Sequence, residues 1–271
     1  MTEPDAPSDT QATYVFAVCR NADLSAVAEL PGVTVDAPVT ALPLGKLTAI
    51  VQSVRAAEFT DEAWQARLSD QQALERYARA HHEVVSAVAA RCPAVPLPMA
   101  TLYHGEDRAR EALSQEEGRF EAVLKRIERH TEWGLKVYAT PSSPVDTAPA
   151  PVHRVTPTGR SSPEPGAGLA YLNRKRDVQE RRERSTDEAL RAADLVDAEV
   201  CRLAAASRRL RPHPQPSADR RVQVLNATYL VDERRTGELA LLTQTLRDRT
   251  GAQIELSGPW VPYSFVGEVQ P

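Results

Sequence analysis

The sequence predicts an α+β fold of two domains, in which long helices pack on antiparallel sheets. The chain has 271 residues and is 42% hydrophobic, which is enough for two hydrophobic cores. Apolar residues repeat with the period of a strand in some segments and of a helix in others, so that the first half reads β-α-β-β-α-β. This is the order of the ferredoxin-like fold, whose helices cover one face of an antiparallel sheet. We expect the second half to be a modified version of it.

Each element of the first half has a local signal. An apolar run predicts a strand at 14–20, and Gly45-Lys46 fits the turn of a hairpin between strands at 39–44 and 47–54. Thr60 followed by acidic residues is typical of a helix start, and an apolar stripe extends that helix to Pro93. The other predicted elements are a short helix at 24–30, a strand at 95–103 and a helix at 107–131.

The second half begins with a strand at 133–139 and is then interrupted by seven prolines between 141 and 165. A proline-rich segment of low apolar content cannot bury enough surface to fold, so we predict a disordered insertion at 140–166. A helix is predicted at 168–210, and the apolar stripe in its second half favours packing onto the sheet over dimerisation. The last predicted elements are strands at 222–231 and 252–260, with a helix at 236–249 between them.

These elements predict the domain boundaries. We expect a disordered tail at 1–12, a first domain at 13–131 and a second domain at 132–271 that carries the insertion. Residues 1–11 lack the apolar core of a signal peptide, and no apolar run approaches the length of a membrane span, so we expect a cytoplasmic protein. A monomer is favoured.

The sequence contains no motif of a catalytic or metal site, and we predict no enzymatic activity, no metal and no cofactor. G-x-S-x-G, H-E-x-x-H and C-x-x-C are all absent. Cys19, Cys92 and Cys201 are widely spaced and odd in number, which argues against a disulfide framework. His81 lies on the apolar stripe and is predicted to be a core histidine. His104 with Glu106 and Asp107 could form an acid–base cluster, but the two acidic residues are instead expected to favour a helix N-terminus through its dipole.

A basic segment supports an alternative function. The arginine-rich helix at 172–184 belongs to a locally basic part of a chain whose net charge is −4. Such a helix could bind the phosphates of a nucleic acid, so a nucleic-acid-binding module is the alternative function. Asp177, Glu180 and Glu183 lie at helical distances for ion pairing with these arginines, which favours a solvated helix face and no nucleic-acid partner.

The stretch at 258–265, Gly-Pro-Trp-Val-Pro-Tyr-Ser-Phe, concentrates large side chains in a chain that is only 5% aromatic. Its prolines withhold backbone donors, so the segment should leave the sheet edge as a stiff ribbon that either closes a core or docks a partner. We expect Trp260 and Phe265, with Tyr229, to bury against the second sheet or a partner. Trp260 should carry stability, whereas Tyr263 should point outward and carry more of the partner contact.

This stretch resembles the G-P-W-P-P-Y-S-F signature of the GvpL/GvpF gas vesicle protein family. Further segments are similar to that family in the same order, and the resemblance runs from about 13 to 267. They lie at 14–18, 95–103, 134–138, 168–175 and 225–231. One departure is that Pro98, Met99 and Ala100 replace the family's Arg, Phe and Gly, so a role of that arginine does not transfer.

The resemblance implies a non-enzymatic gas vesicle protein, either a minor structural component or an assembly factor. It implies contact with the hydrophobic shell protein, and with other gas vesicle proteins, at gas vesicles in the cytoplasm. The residues expected to contact a partner are Trp260, Tyr263, Phe265, Tyr229, Arg174 and Lys175. An aromatic ribbon beside an open sheet edge would offer apolar contact and strand pairing to a shell subunit.

Overall fold

The computed structural model describes residues 11–20, 22, 25, 27–139, 167–211 and 222–267. The chain divides into two units: residues up to Glu132 together with those from Pro259 onward, and Trp133–Gly258. The expected second domain at 132–271 therefore differs at its end, because the aromatic segment belongs to the first unit. The predicted insertion at 140–166 lies outside the described residues, as does most of the predicted tail. Gln11 and Ala12, placed in that tail, are part of a strand.

The first unit is built on an antiparallel sheet. Its strands are β1 (Gln11–Cys19), β2 (Val39–Leu44), β3 (Leu47–Arg55), β4 (Ala94–Pro96) and β5 (Leu102–Tyr103). They are arranged in the order β2-β3-β1-β4, with β5 also paired to β1. The predicted hairpin is confirmed: Leu44 pairs with Leu47, and Gly45 takes a φ of 67° that favours glycine. The α+β class is confirmed, and this sheet is compatible with the ferredoxin-like fold.

The predicted strand at 95–103 is wrong as a single element, because it divides into β4 and β5. Pro98 has no backbone N–H to give to a ladder, and Ala100 has a φ of 63°, which no strand adopts. Thr101 donates its backbone N–H to the Pro98 carbonyl over 3.2 Å, so residues 98–101 form a tight turn between the two strands. The residues that depart from the family's pattern are the residues of this turn.

Both long helices predicted for this unit are also divided. The observed helices are α1 (Asp61–Ser69), α2 (Gln71–Ala89), α3 (Glu106–Gln115) and α4 (Glu117–Ile127). Asp70 is extended, and its carboxylate accepts hydrogen bonds from the backbone N–H groups of Gln72 and Ala73, so it caps a new helix inside the range predicted as a single helix. Helix α3 begins at Glu106, one residue before the predicted start at 107, and has Glu106 in its first turn as expected.

Helices cover both faces of the first sheet, which corrects the expectation of one covered face. Val15 and Val18 pack in a core with α3 and α4, whereas Tyr14, Phe16 and Ala17 pack in a second core with α2. A bulge between Val15 and Ala17 leaves Phe16 unpaired with β3, so two successive side chains lie on the same face. A strand covered on both faces needs a nearly continuous apolar sequence, as β1 has.

The second unit contains a four-stranded sheet in the order β7-β8-β6-β9. Its elements are β6 (His130–Ala139), α5 (Ala167–Leu203), β7 (Ala206–Arg209), β8 (Val222–Asp232), α6 (Thr236–Thr250) and β9 (Gln253–Trp260). The helix predicted to reach Leu210 ends at Leu203, because Ala205 donates its N–H to the Leu230 carbonyl and the following residues pair with β8. Packing of the α5 stripe on the sheet is confirmed by Val196 and Val200, which share a core with Tyr229. No helix among the described residues is long and apolar enough to cross a membrane.

Candidate interaction site

The segment after β9 folds onto the first unit, close to α2. Pro262 ends the extended backbone, and Tyr263–Phe265 form a single 3-10 turn. Val261 and Tyr263 pack against the core on the α2 side of the sheet, and Val266 packs against the core on the opposite side. The aromatic ribbon is therefore an ordered part of the first unit.

Two charged side chains hold this turn by its backbone. The Glu132 carboxylate accepts hydrogen bonds from the backbone N–H of Ser264, over 2.8 Å, and from its hydroxyl. Arg126 donates from its guanidinium to the carbonyl of Phe265, whose ring is buried with 4% exposed. Hydrogen bonds with a charged partner are stronger than neutral ones, so these contacts fix where the segment lies.

His82 on α2 connects the helix to the aromatic side chains. Its Nδ1 lies 3.3 Å from the Tyr263 hydroxyl, and its Nε2 lies 3.2 Å from the Ser86 hydroxyl. Its ring centre is 5.9 Å from that of Tyr263 and 6.3 Å from that of Trp260. Burial raises the pKa of Tyr263, so its hydroxyl stays neutral and can take part in this contact.

Trp260 is the side chain of this group that faces solvent, with 49% of its surface exposed, whereas Tyr263 is half-buried. Tyr263 was expected to point outward and Trp260 to be buried, so the exposure of the two side chains is the opposite of the expectation. Trp260 is the last residue of β9, where the strand is exposed, and the turn that begins at Tyr263 directs the next ring onto α2. Phe265 is buried as expected, within a segment that belongs to the first unit.

Tyr229 lies in the interior of the second unit with no exposed surface. Its hydroxyl donates to Asp197, which also accepts from Arg209 at 2.6 and 2.9 Å. Burial opposes ionisation of Asp197, but the hydrogen bonds from Tyr229 and Arg209 outweigh it and hold its pKa below the usual value. Tyr229 thus stabilises the fold and is not accessible to a partner.

Arg174 and Lys175 lie in the first part of α5. The side chain of Arg174 is outside the described residues, and Lys175 is exposed. Nearby, Arg184 and Glu180 form an exposed ion pair at 3.6 Å, as expected for a solvated helix face. Within the described ranges, no group of three or more His, Cys, Asp or Glu side chains could hold a metal ion.

The residues that fix the aromatic segment were not predicted from the sequence. His82 is separated from Tyr263 by 181 positions, and Glu132 from Ser264 by 132. No periodicity or motif connects positions so far apart. The sequence contains the adjacent histidines His81 and His82, but it does not indicate that His82 contacts the aromatic segment.

Comparison with known proteins agrees with this architecture. The family model for "Gas vesicle synthesis protein GvpL/GvpF" matches residues 12–267. Gas vesicle protein L from Streptomyces sp. (strain CB03234) is 33% identical over 257 residues, covering 94% of this chain and 92% of that protein.

Two crystal structures share the fold at low identity. GvpF from Anabaena sp. PCC7120 matches with a TM-score of 0.64 and 11% identity, over 96% of this chain and 98% of its own. GvpF from Microcystis aeruginosa matches with a TM-score of 0.58 and 12% identity, over 95% of this chain and 99% of its own. The fold is thus that of solved gas vesicle proteins over nearly the whole chain.

Proposed function

The chain belongs to the GvpL/GvpF family of gas vesicle synthesis proteins, and on this premise we propose that it contributes to gas vesicle formation by contacting the hydrophobic shell protein. This role requires no catalysis. The contact would be the same whether the protein stays in the vesicle as a minor component or leaves after assembly.

The observation that supports this proposal is the exposure of Trp260 on an ordered support. A shell subunit has an apolar surface that must be shielded before it polymerises. Trp260 offers 49% of its surface to solvent, and the residues that follow it are held by Glu132, Arg126 and His82. A large aromatic side chain in a fixed position loses little conformational entropy on binding, which is why such residues dominate binding energies at interfaces.

A capture experiment tests this contact. The full chain is immobilised, and its binding of purified, detergent-solubilised shell protein is compared with that of the variants Trp260→Ala and Leu241→Ala. Leu241 on α6 is the matched control, because it is also a large apolar side chain and is 70% exposed. We expect Trp260→Ala to weaken capture by roughly tenfold or more, as for an interface anchor, and Leu241→Ala to leave it unchanged. Equal capture by all three proteins would contradict the proposed site.

A further inference from the structure

Two cysteines that are far apart in the sequence lie together in the first unit. Cys19 is the last residue of β1 and pairs with Ala94 of β4. Cys92 lies two positions before Ala94, where its backbone N–H still bonds to the Val88 carbonyl in the last turn after α2. The Cys92 side chain packs against the apolar cluster that contains Cys19.

The two thiols differ in their access to solvent. Cys19 is completely buried, and its Sγ lies 3.6 Å from the Thr48 carbonyl oxygen. Cys92 is half-buried, with its Sγ 3.7 Å from the Val88 carbonyl oxygen. Neither cysteine is part of a disulfide. A small solute can therefore reach Cys92 while Cys19 stays enclosed.

We propose that Cys19 and Cys92 form a reversible intramolecular disulfide when the protein meets hydrogen peroxide. The Cys92 thiolate attacks one peroxide oxygen, and with one proton from water this gives a sulfenic acid and one water. The Cys19 sulfur then attacks the Cys92 sulfur and loses its proton, and the sulfenic hydroxyl leaves as a second water. Two thiols and one peroxide thus give one disulfide and two waters.

The environment of the pair supports this order of events. Cys92 is oxidised first because it is half-buried, whereas Cys19 is enclosed. The neighbouring Cys92 and burial also raise the pKa of Cys19, so Cys19 is a protonated thiol until Cys92 has reacted. The disulfide would tie the end of α2 to the central strand of the sheet. Because α2 carries His82, the bond would also fix the helix that supports the aromatic segment, although the proposal does not depend on shell-protein contact.

The test uses the full chain carrying Cys201→Ser, which removes the exposed third thiol and with it disulfides between molecules. The reduced variant is treated with a small excess of hydrogen peroxide, quenched, denatured, and titrated for free thiols. We expect both remaining thiols to be lost, a tryptic peptide pair joined through Cys19 and Cys92, and full recovery of both thiols with dithiothreitol. The melting temperature of the oxidised protein should rise by a few degrees, roughly as for other cross-links that close long loops.

A second variant, Cys92→Ser combined with Cys201→Ser, keeps the fold testable because Cys92 is half-buried. It should keep its single Cys19 thiol through the same treatment, since the buried sulfur has lost its partner. The proposal is overturned if the Cys201→Ser protein retains both thiols under conditions that oxidise Cys201 in the unmodified chain. It is equally overturned if Cys92 gains oxygen without being joined to Cys19.

Discussion

His81 and His82 are neighbours in the sequence but occupy different environments on α2. His81 is buried with 2% exposed, stacks on Phe16, and its Nδ1 lies 2.8 Å from the Tyr14 hydroxyl. The predicted core histidine is confirmed. His82 instead faces the C-terminal segment and contacts Tyr263. Consecutive residues of a helix point in directions about 100° apart, so one contributes to the core and the other to a surface.

The buried histidine should make the stability of the first unit depend on pH. Burial, assisted by the nearby His82, lowers the pKa of His81 from 6.5 to about 4. As the pH falls, the unfolded chain is therefore protonated at this histidine before the folded chain is. Stability is therefore complete above pH 6.5 and falls as the pH approaches 4. Lowering the pH from 7.5 to 5 should reduce the free energy of unfolding by about 2 kcal/mol because of this histidine.

Urea unfolding at the two pH values measures this loss in the unmodified protein, in His81→Gln and in His104→Gln. Glutamine cannot take up a proton, so His81→Gln should lose about 2 kcal/mol less than the unmodified protein over this range. His104 is exposed, so its replacement should leave the decline as it is. A decline of the same size in His81→Gln would show that His81 is not responsible.

Replacing Phe265 should reduce the stability of the first unit, whereas replacing Trp260 should leave that stability nearly unchanged. Replacing buried Phe265 by Ala should destabilise the first unit by about 3 kcal/mol, because it leaves a cavity beneath the turn. Trp260→Ala should cost less than about 1 kcal/mol, because half of that side chain already contacts water. Thermal unfolding followed by circular dichroism tests both. A large loss in the Trp260 variant would indicate that its ring closes a core.

At the scale of single residues, the sequence predicts which side chains are apolar and which lie on a stripe, but not which of two nearby aromatics is exposed. Trp260 and Tyr263 lie in the same stretch, and their exposure depends on the turn at Pro262 and on a histidine that is remote in the sequence. Such long-range contacts are decided by tertiary packing, which a single sequence does not display.

At the scale of elements, helix α5 has two parts with different environments. Residues 173–188 are charged and largely exposed where described, whereas Ala193, Val196 and Val200 are buried against the second sheet. The heptad-like stripe predicted this packing correctly. It did not predict the end of the helix at Leu203, because Ser207 and Leu210 continue the spacing while their backbone pairs with β8.

A matched pair of variants tests the buried stripe of α5. Val196→Ala should lower the stability of the second unit by about 2 kcal/mol, since two buried carbon atoms are lost and a cavity remains. Leu190→Ala removes a larger part of a side chain from the same helix, but that side chain is 46% exposed. The change should therefore lower the free energy of unfolding by less than about 0.5 kcal/mol. The two midpoints in urea provide the measurement. If Leu190→Ala proved the more damaging, α5 would have to pack through a different face.

Local signals explain why helix positions were predicted better than helix ends. The apolar stripe predicted the position of α2, but Asp70, which lies before that stripe, interrupts the predicted helix with a side-chain cap that starts a new helix. An apolar run likewise predicted the strand at 95–103, but not the backbone turn at Pro98 that divides it. Periodicity reports which face is apolar, whereas caps and turns decide where an element stops.

At the scale of the whole molecule, the family was predicted from short segments in the right order, and the chain-wide match confirms it. The fold class was predicted because apolar periodicity survives over long segments. The assignment of the aromatic segment to the first unit was not predicted, since β9 belongs to the second sheet and only the final residues return. That return places Trp260 beside His82, and the proposed shell contact depends on it.

The most direct test of this contact is site-specific photo-crosslinking. Trp260 is replaced by p-benzoylphenylalanine in the full chain, with the same replacement of Leu241 as the matched exposed control. Each protein is mixed with solubilised shell protein and irradiated, and the products are identified by mass spectrometry. A cross-link from position 260 to the shell protein, without one from position 241, is the result that we predict. No cross-link from position 260, or equal cross-linking from both positions, would contradict a specific contact at the aromatic segment.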